Sequence, residues 1–286
     1  MKKILITGAN SYIGRSLITY LQTQSNYILE ELDVRTDQWK NVDFSQFDTV
    51  FHVAAIVHQN EKKIDPSLYD RVNRDLPIEI ATVAKSAGVG QFIFLSSMSV
   101  YDGSEKMITK KTKEQPTTYY GKSKLAAEIG LAKLIDENFK IAIIRPPMVY
   151  GLNATGNYTR LSKLAKFTFV FPNIVNHRSM IFVDNLCEFI KQTIDRGLSG
   201  LYFPQNKEFV STPELVKTIR KVNGNHTLLT PIFNPIIKKL GNIKQIDKLF
   251  GNLVYERELS LYDFDYQLVD FETSVKQSEC GEKNEP

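Results

Sequence analysis

The chain holds only two cysteines, one tryptophan and four histidines in 286 residues. Cys187 and Cys280 are far apart and follow no metal-ligand spacing, so neither a disulfide scaffold nor a metal site is expected. A reducing, cytoplasmic setting suits two such thiols better than a secreted one. Long apolar runs are missing too: none approaches the ~20 residues that span a bilayer, so no integral membrane segment is expected. Met1-Lys2-Lys3 before Ile4-Leu5-Ile6 begins like a signal peptide, but the run is too short and Gly8 interrupts it. Nor does charge of one sign dominate, since 36 Lys+Arg against 32 Asp+Glu leave +4. That balance suits an anionic small ligand and is too weak to argue for nucleic acid. Internal repeats and low-complexity blocks are absent. The remainder, 42% hydrophobic and 24% charged, is an ordinary globular composition.

What is present is alternation. Short apolar runs at Lys3–Thr7, Ile28–Asp33, Thr49–His52, Gln91–Ser96 and Ile141–Arg145 read as buried strands. Between them, Tyr12–Thr23, Leu68–Ala87 and Tyr120–Asn138 carry helical apolar spacing, while the link between the second and third strands is too short for a full helix. The pattern predicts an α/β fold, a Rossmann-type doubly wound parallel sheet covered by helices. Residues 1–150 are expected to form the dinucleotide-binding domain and 151–273 mainly a smaller C-terminal lobe. Residues 274–286 read as a frayed polar tail. In the lobe, Asp184–Arg196 is expected to be helical, and Ser211-Thr212-Pro213-Glu214 opens a helix with a hydroxyl cap. From Asn234 to Phe250, lysines alternate with apolar residues. That spacing predicts an amphipathic surface helix pair, with a membrane-contact helix as the alternative.

The first strand–helix junction reads Gly8-Ala9-Asn10-Ser11-Tyr12-Ile13-Gly14. A pyrophosphate needs small residues and free helix-terminal amides at such a turn, so Gly8, Asn10, Ser11, Tyr12, Ile13 and Gly14 are candidate cofactor contacts. The middle glycine position is Ser11, a departure from the pattern. Asp33, 19 residues past Gly14, stands where an acid holds the ribose hydroxyls of NAD(H). Arg35 stands where a guanidinium grips the 2′-phosphate of NADP(H). Arg35 tips the expectation towards NADP(H), with NAD(H) open. Asp43 is placed to accept from the adenine amino group.

Ser97 follows the fourth strand, and Tyr120 and Lys124 lie four apart on one helical face. A nearby ammonium favours tyrosinate and tunes the phenol for proton transfer, while a serine hydroxyl orients the reacting oxygen. The bland alternative is a surface Tyr/Lys pair beside a strand-end serine. The glycine turn upstream argues against coincidence.

Several motifs together resemble one family. They are Thr7-Gly8-Ala9-x-x-Tyr12-Ile13-Gly14, His52-Val53-Ala54-Ala55, Ser96-Ser97-x-Ser99-Val100-Tyr101, Tyr120-x-x-x-Lys124 and Arg145-Pro146-Pro147-Met148-Val149-Tyr150-Gly151. Over residues 2 to 273 or so, the chain resembles the extended short-chain dehydrogenases/reductases of the NAD-dependent epimerase/dehydratase family. The resemblance implies a catalytic Ser97, Tyr120 and Lys124. It adds Ala54, Ala55 and Pro147 to the cofactor site, with Lys124 also on the nicotinamide ribose. It implies a UDP-sugar substrate, with Asn157 and Arg178 on its diphosphate, and a homodimer built through two helices. Family dehydratases carry an acidic pair where this chain has Met98 and Ser99, so elimination of water is not expected. Asp33-Val34-Arg35, Gly156-Asn157 and Leu249-Phe250-Gly251-Asn252-Leu253 are most similar to bacterial capsule and O-antigen C4-reductases. These turn a UDP-2-acetamido-2,6-dideoxy-4-hexulose into UDP-D-FucNAc or UDP-D-QuiNAc. Two alternatives stay open: a UDP-hexose or UDP-HexNAc 4-epimerase with tightly bound NAD, and a non-catalytic cofactor-sensing protein on the same fold.

Overall fold

The computed structural model describes residues 1–57, 65–240 and 243–281. It divides into two compact units. The first comprises Met1–Asp102, Lys113–Pro146 and Cys187–Pro204, and the second Gly103–Thr112, Pro147–Leu186 and Gln205–Pro286. The expected division at residue 150 is therefore interleaved, since 103–112 belongs to the second unit and 187–204 to the first.

The first unit is built on six parallel strands: β1 Lys2–Thr7, β2 Tyr27–Leu32, β3 Thr49–His52, β4 Gln91–Leu95, β5 Lys140–Ile144 and β6 Gly200–Tyr202. Their order is β6-β5-β4-β3-β1-β2. Runs such as Phe92-Ile93-Phe94 and Ile141-Ala142-Ile143 are buried on both faces, as a sheet covered by helices requires. Leu5, Val50, Phe92, Phe94 and Ile141 pack with Ile80, Ala84, Ala127 and Leu131 from two of the covering helices. At roughly 1.5–3 kcal/mol per large side chain removed from water, this cluster is a main source of the unit's stability. Two 3-10 turns, Asp37–Asn41 and Phe44–Gln46, stand in for a helix between β2 and β3. They bury Trp39 and Phe44 edge to face, with ring centroids 6.4 Å apart.

Strand order reverses between β1 and β3, and ligands of doubly wound sheets bind at the carboxyl ends of strands at such a point. Here the two chain turns touch. The Thr7 carbonyl accepts from the amides of Val53 and Ala54, both at 3.1 Å. Gly8 has φ +113°, and a Cβ placed on it would lie 2.8 Å from the Ala54 nitrogen. No other residue fits that approach without moving backbone.

The expected helix at Leu68–Ala87 exists but is not uniform. It runs as Pro66–Tyr69, a π-helical turn over Asp70–Asp75, then Leu76–Ser86. Pro77 has no amide to give to the turn before it, which suits a widened turn at this place. The turn buries Asn73, which accepts from the Ile56 amide at 2.8 Å and donates to the Ile56 carbonyl at 3.0 Å. The loop after β3 is thereby held from the helix side. The helix expected at Tyr120–Asn138 is shorter, Tyr119–Ala132. It stops because Asp136 folds the chain back, accepting from the amides of Asn138 and Phe139.

In the second unit, parallel strand pairs join Met148–Tyr150 to Met180–Phe182 and Val170–Pro172 to Leu228–Thr230. Helices Asn157–Lys166, Thr212–Val222 and Phe271–Cys280 pack with one another. The helix Val183–Asp195 matches its expected span within a residue at each end, but from Cys187 on it belongs to the first unit and not to the lobe. Ser211 stands at the N-cap of Thr212–Val222 but its hydroxyl makes no cap bond. Asn176 Oδ1 accepts from the Thr212 amide instead, at 2.8 Å. The frayed tail expected from residue 274 is not found as far as Cys280. Phe271–Cys280 is a helix capped by Asp270, which accepts from the Thr273 amide at 3.0 Å. Its anchor is polar: Glu279 accepts from Tyr158 and Ser162, each at 3.0 Å, and pairs with Lys166 at 3.0 Å. The expected pair in Asn234–Phe250 is present as short helices Asn234–Lys239 and Lys244–Phe250.

Replacing Gly8 by alanine adds a strained left-handed backbone to a steric collision with Ala54. The expected cost is about 1–3 kcal/mol or more. Urea denaturation reads it directly, and an unchanged midpoint would refute the close-approach argument.

Candidate active site

Three elements of the first unit bring the site together. β4 ends at Leu95, and Ser97 follows in extended backbone as the cap of a 3-10 turn, Met98–Val100. Thr118 caps the helix Tyr119–Ala132, accepting from the Gly121 amide at 3.0 Å, so Tyr120 sits in its first turn. Gly121 lets that turn press on the serine loop, because a Cβ there would lie 2.1 Å from the Ser99 carbonyl oxygen. The consequence is a hydrogen bond between the Ser97 and Tyr120 side chains. Ser97 Oγ also accepts from the Ser99 amide at 3.1 Å and donates to Ser99 Oγ at 3.2 Å.

Lys124, one turn on from Tyr120, is 1% exposed. Its Nζ donates to the Leu95 carbonyl at 2.8 Å and lies 4.5 Å from the centre of the Phe94 ring. Burial pulls the ammonium down to about 7, and the Glu128 carboxylate one turn further along opposes that fall. Burial pushes the Tyr120 phenol up to about 12, offset in part by the Ser97 hydrogen bond. At neutral pH the phenol therefore carries its proton and is equipped to donate it, while Lys124 stands near its titration midpoint.

Beneath the lysine lies a network that the motifs do not announce. Glu128 accepts from the Ser96 hydroxyl and from Arg145, whose Nη2 is 2.5 Å away. Arg145 Nη1 donates to the Tyr101 hydroxyl at 2.6 Å and to Glu114 at 2.8 Å. Against its own burial, the bonds and charge of Glu128 hold the guanidinium above its ordinary value. Glu128 was legible in principle: it is four residues beyond Lys124 and eight beyond Tyr120, on the same helical face. His52, from the fourth-residue end of β3, is fully buried between Phe92 and Phe94, each ring centroid 6.0 Å away. Burial, and then the charge of Lys124, hold it down to about 3, so it stays neutral. Its Nδ1 meets the Thr7 hydroxyl at 2.7 Å.

At the glycine turn, Ser11 caps the helix Tyr12–Gln22 by accepting from the Gly14 amide at 3.1 Å. The departure from glycine is thus a cap, and its hydroxyl hydrogen is left to point elsewhere. Asn10 takes the left-handed conformation with φ 67°. The first helical turn has no acidic residue, and its amides at Tyr12 and Ile13 precede any intrahelical acceptor. Glycine at the closest backbone approach and unopposed helix amides fit a dinucleotide pyrophosphate. Ala54 and Ala55 lie on the loop that Gly8 abuts, half-buried.

Asp33 and Arg35 are already paired. Arg35 Nε and Nη2 both donate to the carboxylate, at 2.9 and 2.5 Å, and its amide donates to Oδ1 at 2.9 Å. These bonds bring Asp33 down to about 2. Asp43 is the cap of the turn Phe44–Gln46, its Oδ1 accepting from the Ser45 amide at 3.0 Å and hydroxyl at 2.6 Å.

Pro147, Asn157 and Arg178 belong to the second unit. Pro147 is buried there, and Asn157 is the exposed first residue of its helix, preceded by Gly156 at φ 102°. Arg178 exchanges backbone bonds with Val210, and its Nη1 donates to the Gly251 carbonyl at 3.1 Å. Among the described residues, no group of three or more His, Cys, Asp or Glu is arranged to hold a metal, and no helix is long and apolar enough to cross a membrane.

Comparison with known proteins bears on the family and the fold. The family model described as NAD dependent epimerase/dehydratase matches residues 4–200. UDP-glucose 4-epimerase of Vibrio cholerae is 28% identical over 285 residues, 88% of this chain and 86% of that protein. N-acetyl-alpha-D-glucosaminyl-diphospho-ditrans,octacis-undecaprenol 4-epimerase of Escherichia coli O157:H7 is 29% identical, over 74% of this chain and 68% of that one. Among solved structures, a dTDP-4-dehydrorhamnose reductase from Clostridium acetobutylicum superposes with TM-score 0.73 at 20% identity, covering 96% and 97% of the two chains. UDP-glucuronic acid 4-epimerase from Bacillus cereus, in complex with NAD, gives 0.74 at 18% identity over 97% of each. At such identities the structures show a shared fold.

Two substitutions separate the roles of these residues. Tyr120→Phe is expected to lower kcat by about 10²–10⁴ with circular dichroism unchanged. Glu128→Gln leaves buried Arg145 with Glu114 as its remaining carboxylate partner and is expected to cost about 3 kcal/mol in urea denaturation. It also withdraws the charge that props up Lys124, so the ammonium is lost at lower pH. The alkaline limb of kcat/KM should move towards lower pH, and an unmoved limb would disconnect Glu128 from the lysine.

Proposed function

Because the chain belongs to the NAD-dependent epimerase/dehydratase family, we propose that it is an NAD(P)-dependent oxidoreductase acting at C4 of a UDP-sugar. The specific reaction is reduction of the ketone of a UDP-2-acetamido-2,6-dideoxy-4-hexulose to UDP-D-FucNAc or UDP-D-QuiNAc, for bacterial surface polysaccharide. The observation that carries this reading is the joined Ser97 and Tyr120 hydroxyls one turn from buried Lys124. Met98 and Ser99 occupy the places where elimination needs an acid and a base, so the residues support hydride chemistry without dehydration.

A bound nicotinamide supplies the hydride. Tyr120 gives its proton to the new C4 alkoxide, and Ser97 donates a hydrogen bond to the same oxygen. Lys124 as the ammonium stabilises the tyrosinate left behind. Arg178 and Asn157 are assigned to the diphosphate, a role that suits a guanidinium held in place by Gly251. NADP(H) is favoured because Arg35 already occupies the Asp33 carboxylate while its own side chain stays 80% exposed, facing solvent where a 2′-phosphate arrives.

One observation favours a second reading. Both sequence relatives named above are 4-epimerases by name. An epimerase uses the same three residues on an NAD that stays bound, and nicotinamide is then not consumed.

The test supplies the 4-keto product of a UDP-GlcNAc 4,6-dehydratase with NADPH or NADH and follows nicotinamide absorbance and sugar together. Stoichiometric oxidation with a new UDP-6-deoxy-HexNAc is expected, faster with NADPH. Silence there, with interconversion of UDP-GlcNAc and UDP-GalNAc on copurified NAD, would replace the reductase with the epimerase. In the reductase, Arg35→Ala should raise KM for NADPH about tenfold or more and leave that for NADH unchanged.

A further inference from the structure

The second unit displays apolar side chains in a cluster. Phe167, Phe169, Val175, Leu228, Ile232 and Ile236 are each 61–82% exposed. They come from two stretches, 157–175 and 226–250, that are bonded to each other. Leu228 pairs with Val170 in register, its amide donating to the Phe169 carbonyl at 2.8 Å. Asn234 Nδ2 donates to the Asn173 carbonyl at 2.9 Å. Single exposed apolar residues are commonplace, whereas a contiguous group of aromatic and branched side chains marks a surface that something covers.

Charge identifies the cover. The two stretches contain seven Lys and Arg and a single acid, Asp247, an excess larger than the +4 of the whole chain. Lys163, Lys239 and Lys248 are exposed, as is Lys166, which pairs with Glu279. A second copy docking through this face would set lysine against lysine. An anionic bilayer supplies an acyl boundary for the aromatic and branched side chains and phosphates for the lysines.

We propose that this face docks on an anionic phospholipid bilayer. The lysine-rich stretch runs directly into Gly251, whose carbonyl holds Arg178. If Arg178 takes the sugar diphosphate, docking brings the turn that holds it towards the headgroup layer. That consequence rests on the function proposed above, and the docking itself does not.

Flotation of the full chain with vesicles tests it, using phosphatidylcholine alone and phosphatidylcholine with roughly a third phosphatidylglycerol. Recovery with the anionic vesicles only is expected, falling as salt rises. Phe167→Ser with Ile232→Ser should weaken binding about tenfold or more per side chain. Lys163→Glu with Lys239→Glu should weaken it about fivefold or more per lysine. All four side chains are exposed, so an unchanged thermal transition verifies the fold of each variant. Equal binding to neutral vesicles, or binding indifferent to both variants, overturns the proposal. So does absence of vesicle binding together with a dimer, seen by light scattering, that Phe167→Ser with Ile232→Ser dissolves. Vesicle binding with a silent C4 assay would retain the docking and reject the reaction, and the converse would do the opposite.

Discussion

Glu128 keeps its carboxylate out of water, and its neighbours make that possible. Arg145 grips it with two nitrogens, Ser96 donates a hydroxyl, and Lys124 adds positive charge from one turn away. A buried carboxylate without such partners would cost several kcal/mol. With them, it fixes the end of β5 and the strand-end serines against the helix of Tyr120. Arg145 also donates its amide to Tyr202 in β6 and its guanidinium to Tyr101 and Glu114. One ion pair therefore ties two neighbouring strands, the serine loop and the helix of Tyr120 and Lys124 into one arrangement. A buried pair can be replaced by apolar residues elsewhere without loss. Here its charge also acts on Lys124, and no apolar pair would do that.

The low-dielectric surroundings set the chemistry above that pair. Burial keeps the Tyr120 proton on and pushes the Lys124 proton off, so the two groups move in opposite directions from their ordinary values. A general acid must hold a proton it can surrender, and a nearby ammonium makes the surrender easier. His52 shows the same surroundings at work on a third group. Fully buried and stacked between two phenylalanines, it is held neutral, so it adds no charge to compete with the lysine.

The parallel sheet, the glycine turn and the shared face of Tyr120 and Lys124 were legible because each leaves a local signature. Buried strands are continuous apolar runs, and a four-residue spacing puts Tyr120 and Lys124 on one face. The interleaved division was not legible, because Gly200–Tyr202 is three residues long and finds its place only by pairing with β5. The π turn was hidden inside a run with good helical periodicity, and only Pro77 hinted at it. The helix Phe271–Cys280 was missed because its anchor is Glu279, a residue type that composition assigns to the surface. Three partners supplied by another helix give that carboxylate its place inside.

Glu279 and Phe167 together expose what patterning arguments assume. Such arguments put apolar side chains inside and charges outside, and the helix Asn157–Lys166 obeys neither at its C-terminal end. Lys166 reaches inward to a carboxylate whose side chain is 1% exposed, while the next residue, Phe167, is 82% exposed. Lys166 itself stays 41% exposed, so it is Glu279 and Phe167 that stand in environments opposite to those their transfer free energies favour. The first is compensated within the chain by charge and hydrogen bonds. The second has no such compensation in water, since burying a phenylalanine is worth roughly 1.5–3 kcal/mol. The buried carboxylate is thus satisfied by three donors from one helix, while the ring at that helix's end stays in water as one of a group of exposed apolar side chains.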